Sequence, residues 1–262
     1  MIWVESLGQM VLNLAETLGR VITLWKKTFS FIAKGNVTPQ VSFEQMSKIG
    51  VASFPVVGLT SLFTGMVLAV QSGYSFIKVF NEPLFIGSVV GLSLVKELGP
   101  VLTSVVIAGR VGAAITAELG TMSVTEQLDA LYTLGTSPIR YLAVPRFIAL
   151  LVMTPILAAL ADLIGIIGGF IVATIQLGIP SGVYWEEVQT WVDLNDVCHG
   201  LIKSFFFGLI IVTTSCYKGF GTSGGAEGVG RATTEAVVIS MVLILVGDYF
   251  LSVVLVAMGI GG

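Results

Sequence analysis

The sequence predicts an all-α integral membrane protein, with one amphipathic amino-terminal helix in the membrane interface followed by five transmembrane helices. Three observations carry that prediction. Hydrophobic residues make up 55% of the 262 and charged residues only 11%, whereas a soluble domain has about a quarter charged. Five apolar stretches each approach or exceed the roughly 18 to 20 residues needed to cross a bilayer. The first 34 residues instead mix apolar and polar positions at helical spacing.

In that first segment Trp3, Leu7, Met10, Val11, Leu14, Leu18, Val21, Ile22, Trp25, Phe29 and Ile32 recur on one side. Glu5, Gln9, Asn13, Glu16, Arg20 and Lys27 fall between them. Such a helix lies in the interface with its tryptophans at headgroup depth. It lacks the basic start, dense apolar centre and small-residue cleavage site of a signal peptide. Positions 1–48 are therefore read as an interfacial and inside segment and 49–262 as the five-helix region, the two forming a single domain.

The expected crossings run from Ile49 to Ile77, Pro83 to Gly109, Phe147 to Leu177, Gly200 to Tyr217 and Ala236 to Met258. The first has no charge; the others hold Lys96 with Glu97, Asp162, Lys203 and Asp248 in turn. Gly65, Ala69 and Gly73 recur every fourth residue, as do Gly165 and Gly169, which suits close helix packing in lipid. Cys198 and Cys216 would lie about 27 Å apart on one helix, too far for a disulfide, and are read as buried thiols.

Lysine and arginine set the orientation. With the amino terminus inside, the inner parts hold Arg20, Lys26, Lys27, Lys34, Lys48, Arg110, Arg140, Arg146, Lys218 and Arg231, and the outer side only Lys78. The stretch Gly178 to His199 carries Glu186, Glu187, Asp193 and Asp196 and no basic residue. The amino terminus is expected in the cytoplasm and the carboxyl terminus outside.

Two inside loops stand out. In the stretch Arg110 to Arg146, Ser123 precedes "VTEQLDAL" with Glu126 three residues on, the pattern of a capping box. Leu128 and Leu131 then share one face, and Glu126, Gln127 and Asp129 another. Gly135 and Pro138 end the helix. This is either a solvated connector or a docking helix for a cytoplasmic partner. The second loop has Gly219, Gly221 and Gly224 in Gly-x-Gly-x-x-Gly spacing, but no strand or βαβ unit surrounds it, so a dinucleotide fingerprint fails. Without a phosphate-cradling Walker motif the chain is expected to bind no ATP itself. Nor is a resident cofactor or metal expected, since ligand clusters are lacking. His199, the sole histidine, has no recognisable nucleophile motif beside it, so no catalytic residue is assigned. No basic run points to nucleic acid.

The intramembrane charges are the sharper clue. One charge at mid-membrane costs about 2.5 to 3.5 kcal/mol on insertion scales, so five facing lipid would cost roughly 12 to 18 kcal/mol. Lys96, Glu97, Asp162, Lys203 and Asp248 must mostly face one another or a wet cavity. They are either internal braces or the lining of a path for a charged substrate.

"VKELGPVLTSVVIAGRVGAAITAELGTMSVTEQLDALYTLGTSPIRYLAVPR" (Val95 to Arg146) closely resembles the signature of the MlaE/YrbE permeases, and "GVGRATTEAVV" (Gly228 to Val238) matches their second block. The resemblance covers nearly the whole chain. It implies the membrane subunit of an ABC-type lipid transporter, pairing as a homodimer in the bacterial inner membrane. It further implies a cytoplasmic ATPase that binds the ATP and Mg, a periplasmic MCE-domain protein forming a lipid tunnel, and room for a small STAS-domain accessory protein. The coupling helix for the ATPase would lie around Thr121 to Leu134, with Glu118, Thr121, Met122, Thr125, Glu126, Gln127 and Asp129 as its contacts. Lys96, Glu97, Lys203 and Asp248 would border a phospholipid pocket near the dimer axis, with Leu68, Gln71, Tyr74 and Phe76 as its acyl wall. Lys203 would meet the phosphate and Asp248 orient it. One departure is Lys96, where some relatives have arginine; charge is kept, but bidentate phosphate binding is not. The rival class is an ion-coupled secondary transporter of an amphipathic substrate using Asp162 and Asp248, which should carry an internal inverted repeat; none is visible.

Overall fold

The computed structural model describes residues 2–35, 37–80 and 85–261, all as helices and short connections. An amino-terminal helix spans Ile2–Ala33. Five helices long and apolar enough to cross a membrane follow. They are the first crossing Pro39–Phe80, the second Ile86–Val124 and third Ile139–Ile175, the fourth Leu194–Phe220 and the fifth Gly225–Ala257. A loop helix, Gln127–Thr133, joins the second to the third, and an outer helix, Ser181–Trp191, joins the third to the fourth.

The crossings are longer than their apolar stretches. The second holds 39 residues, about 58 Å of helix, so its ends project well beyond a hydrocarbon core of roughly 30 Å. The first begins at Pro39 and runs unbroken through position 49, with Lys48 and Glu44 paired at 2.7 Å on its exposed first turns. The segment from Arg110, expected as loop, remains helical to Val124. Its small residues let it seat on the fourth crossing: a Cβ on Gly112 would lie 3.0 Å from Ser215 Oγ, and one on Gly120 3.0 Å from Thr222 Oγ1.

The expected capping box does not form. Ser123 lies inside the second crossing and donates to the Thr222 carbonyl at 3.0 Å. Glu126, in the left-handed conformation at φ 60, begins the loop helix instead. A tertiary hydrogen bond has displaced a local capping signal.

The first and third crossings meet backbone to backbone. A Cβ on Gly65 would come 1.8 Å from the Gly165 carbonyl oxygen, and one on Gly168 would come 2.2 Å from that of Leu62. Lipid tails are as apolar as leucine, so association rests on this close packing rather than on escape from water.

The acidic outer stretch is a helix rather than a loop. Tyr184 and Val188 are buried beneath it, and the Tyr184 hydroxyl donates to the Ile166 carbonyl at 3.0 Å. Burial, with the nearby Glu187 charge adding, pushes that phenol well above its ordinary pKa. Glu187 accepts the backbone N–H groups of Phe85 at 3.2 Å and Gly87 at 2.8 Å. A carboxylate thus covers the positive amino end of the second crossing.

The amino-terminal helix buries Leu24 and Thr28 against the bundle, while Leu18, Ile22 and Phe29 remain exposed. On the expected face, the side chains of Trp3, Leu7, Met10, Val11 and Leu14 lie outside those described. Cys216 is buried, but Cys198 is exposed, against expectation, because it points away from the bundle on the first turn of the fourth crossing.

Gly65→Leu is expected to lower the melting temperature of the detergent-solubilised protein, at a cost of about 1 to 3 kcal/mol. Gly19→Ala, with open space around it, should leave melting unchanged or slightly raised. Equal melting of the two variants would contradict the contact.

Candidate functional site

The second crossing is not a uniform α-helix. Residues Leu94–Leu98 widen into a π-helical turn, a feature frequent at functional sites, and Pro100 follows. Proline has no N–H, so the Lys96 carbonyl loses its helical donor four residues on. Lys203 of the fourth crossing supplies the replacement, donating from Nζ to the Lys96 carbonyl at 3.1 Å. The fourth crossing approaches that closely because of Gly200, where a Cβ would stand 2.1 Å from the Val95 carbonyl oxygen.

The Lys203 side chain has 0% exposure. Its ammonium lies 2.5 Å from Glu97 Oε2 and 2.8 Å from Asp248 Oδ1. The Glu97 contact is a directed hydrogen bond; the Asp248 contact is an ion pair without hydrogen-bond alignment. The other Glu97 oxygen accepts from the Ser252 hydroxyl at 3.3 Å, one turn beyond Asp248 on the fifth crossing. One cation thus joins three crossings, and a carboxylate with 46% exposure opens the cluster to its surroundings.

Lys96 forms a second, separate pair. Its Nζ is 3.0 Å from Asp196 Oδ1 and donates to the Gly261 carbonyl at 3.0 Å. His199 Nδ1 lies 3.0 Å from the Ile260 carbonyl, so the segment after the fifth crossing folds back over the outer end of the fourth. Gly261 is required there: its φ is +76, and a Cβ would stand 2.5 Å from His199 Nδ1. That contact holds the imidazole against the chain after the fifth crossing.

Four of the five intramembrane charges are therefore paired. Asp162 is the exception. It is 9% exposed, it packs where a Cβ on Gly99 would stand 1.7 Å from Oδ1, and that oxygen has no hydrogen-bond partner among the described residues.

The first-crossing residues lie apart from this cluster. Leu68 packs on the core that includes Leu94 and Val95. Tyr74 is exposed, its hydroxyl accepting from Gln176 Nε2 at 3.5 Å. Gln71 is exposed and Phe76 half-buried.

At the other end, the loop helix divides as its spacing predicts. Leu128 is buried and Leu131 packs on the same core, while Glu126, Gln127 and Asp129 are exposed. Thr121 and Thr125 are exposed too, and Met122 is half-buried against the core. Glu118 pairs with the buried Arg146 at 2.8 Å, so it braces the base of the loop. Tyr132 and Leu134 also stand exposed at 58% and 78%; the sequence reading missed both. Among the described residues no three metal-ligating side chains come together.

Five apolar crossings, a largely paired polar interior and an amphipathic loop helix define a multi-pass membrane protein. The family model described as Permease MlaE matches residues 42–254. A probable ABC transporter permease protein of Rickettsia typhi is 44% identical over 254 residues, covering 93% of this chain and 98% of the relative. A probable ABC transporter permease protein of Synechocystis is 45% identical over 226 residues, 86% of each. The intermembrane phospholipid transport system permease protein MlaE of Haemophilus influenzae is 34% identical over 266 residues, 98% of each. The chain belongs to the MlaE permease family and is the permease of an ABC-type transporter.

Lys203→Met is expected to cost about 3 kcal/mol, the lower end for breaking a buried pair because Glu97 retains solvent access. Combining it with Glu97→Gln and Asp248→Asn should restore most of that loss, since neutral replacements of a buried ion cluster are often tolerated. Denaturation of the parent, the single and the triple variant in the same detergent measures this; a triple variant as unstable as the single would contradict the pairing.

Proposed function

We propose that the chain moves phospholipid between the inner membrane and a tunnel formed by a periplasmic MCE-domain protein. A separate cytoplasmic ATPase, which binds the ATP and Mg, powers it. The observation that carries this reading is the Lys203 cluster: a fully buried cation held by two carboxylates, one of them half-exposed. A lipid phosphate reaches Lys203 only if Glu97 or Asp248 releases it. That exchange links cargo entry to a rearrangement of the second, fourth and fifth crossings. In this reading Glu97 borders the path with Lys96 at its outer end, and Leu68, Gln71, Tyr74 and Phe76, which stand apart from the cluster on the first crossing, would face the acyl chains. The name of the Haemophilus influenzae relative supports phospholipid as cargo.

Two copies of the chain would complete the path. The fifth crossing leaves Val238, Val242, Leu245, Tyr249, Phe250 and Val253 exposed, an apolar surface that suits a two-fold partner. The lysine and arginine asymmetry puts the amino terminus and loop helix in the cytoplasm and the carboxyl terminus in the periplasm. The loop helix then docks the ATPase through Thr121, Met122, Thr125, Glu126, Gln127 and Asp129, with Glu118 holding its base. A STAS-domain protein would be a further, accessory partner. Ion-coupled transport is the weaker reading, since Asp248 is paired and no internal inverted repeat is visible in the sequence.

Glu126→Lys combined with Asp129→Lys is expected to abolish retention of the ATPase subunit, because like charges across an interface cost several kcal/mol. Both side chains are exposed, so the melting temperature should not change. Co-purification in mild detergent reads the first and thermal denaturation the second. Undiminished retention would overturn the docking assignment.

A further inference from the structure

A groove between the amino-terminal helix and the last two crossings has no part in that reading. Its volume is about 360 Å³, and Leu18, Val21, Trp25, Ile210, Ile239 and Leu243 line it. The Trp25 indole is fixed, donating from Nε1 to Thr213 Oγ1 at 2.8 Å. Lys218 also lines the groove. Its Nζ is 2.7 Å from Glu235 Oε2, and Arg231 Nε is 3.7 Å from Glu235 Oε1. Two cations share one carboxylate, which leaves a net positive charge beside an apolar slot.

We propose that this groove is a binding site for an anionic membrane phospholipid, with one acyl chain in the slot and the phosphate at Lys218 and Arg231. The surroundings select that occupant. Leu18, Ile239 and Leu243 on the groove wall are exposed on helices of a membrane-spanning bundle, so the medium at its opening is lipid. The mouth lies at the end of the bundle that carries the basic loops, where basic pockets between membrane helices take anionic headgroups. Phosphate gains charge-assisted hydrogen bonds from lysine and arginine. The site is separate from the Lys203 cluster: Lys218 lies fifteen residues further along the same helix, about 22 Å. It would tie the amino-terminal helix to the fourth and fifth crossings whatever cargo the transporter moves.

The test uses the full chain with Trp3, Trp185 and Trp191 replaced by phenylalanine, leaving Trp25 as the fluorophore. It is placed in phosphatidylcholine nanodiscs containing increasing fractions of brominated-acyl phosphatidylglycerol or brominated-acyl phosphatidylcholine. Quenching of Trp25 should saturate, with phosphatidylglycerol favoured roughly fivefold for the one net charge. Lys218→Gln on the groove wall, with Arg231→Gln across their shared Glu235, should erase that preference. Val21→Phe, which fills the slot, should remove the saturable component. Equal quenching by the two lipids in the parent protein would overturn the proposal. So would efficient disulfide formation between two copies through Leu243→Cys, which would make a second copy the occupant.

Discussion

A lysine ammonium with no exposed surface inside a membrane bundle must be matched where it stands, and much of this structure follows from how Lys203 is matched. Pro100 frees a carbonyl, Gly200 lets the fourth crossing approach it, and Glu97 and Asp248 bring opposite charge from two other helices. Each of these features is costly or pointless alone. A proline inside a helix loses a hydrogen bond, and a carboxylate in lipid costs several kcal/mol. Together they satisfy one another.

The cluster also holds a contradiction that suits a transporter. It is closed at its centre, where Lys203 has 0% exposure, and open at its edge, where Glu97 has 46%. By contrast the first and third crossings are fixed by backbone contact through Gly65, Gly165 and Gly168, which offers no alternative arrangement. In the proposed mechanism the rigid pair serves as the frame and the ionic junction as the movable part.

Much of the fold was legible in the sequence because lipid allows few solutions: long apolar runs become helices. The charges were equally legible, since each is conspicuous in such a run. Their partners were not. Asp196 lies in what reads as an outer loop, but the fourth crossing begins at Leu194 and carries it on its first turn to Lys96. Ser252 is a small polar residue in an apolar helix with no sequence signal beyond its spacing from Asp248. Gly261 enters through its carbonyl, which no side-chain pattern reports. The outer helix Ser181–Trp191 is too short and too polar for a hydropathy argument. The Ser123 capping pattern misled because a contact to Thr222, 99 positions away, outweighs a local preference.

The central claim is that the Lys203 cluster serves the lipid path as well as the fold. The most direct measurement is lipid transfer by the reconstituted transporter carrying Lys203→Met, Glu97→Gln and Asp248→Asn together. The account predicts a folded, assembled complex whose lipid transfer falls to background. Transfer at the unmodified rate by that complex would reduce the cluster to a packing device and contradict the account.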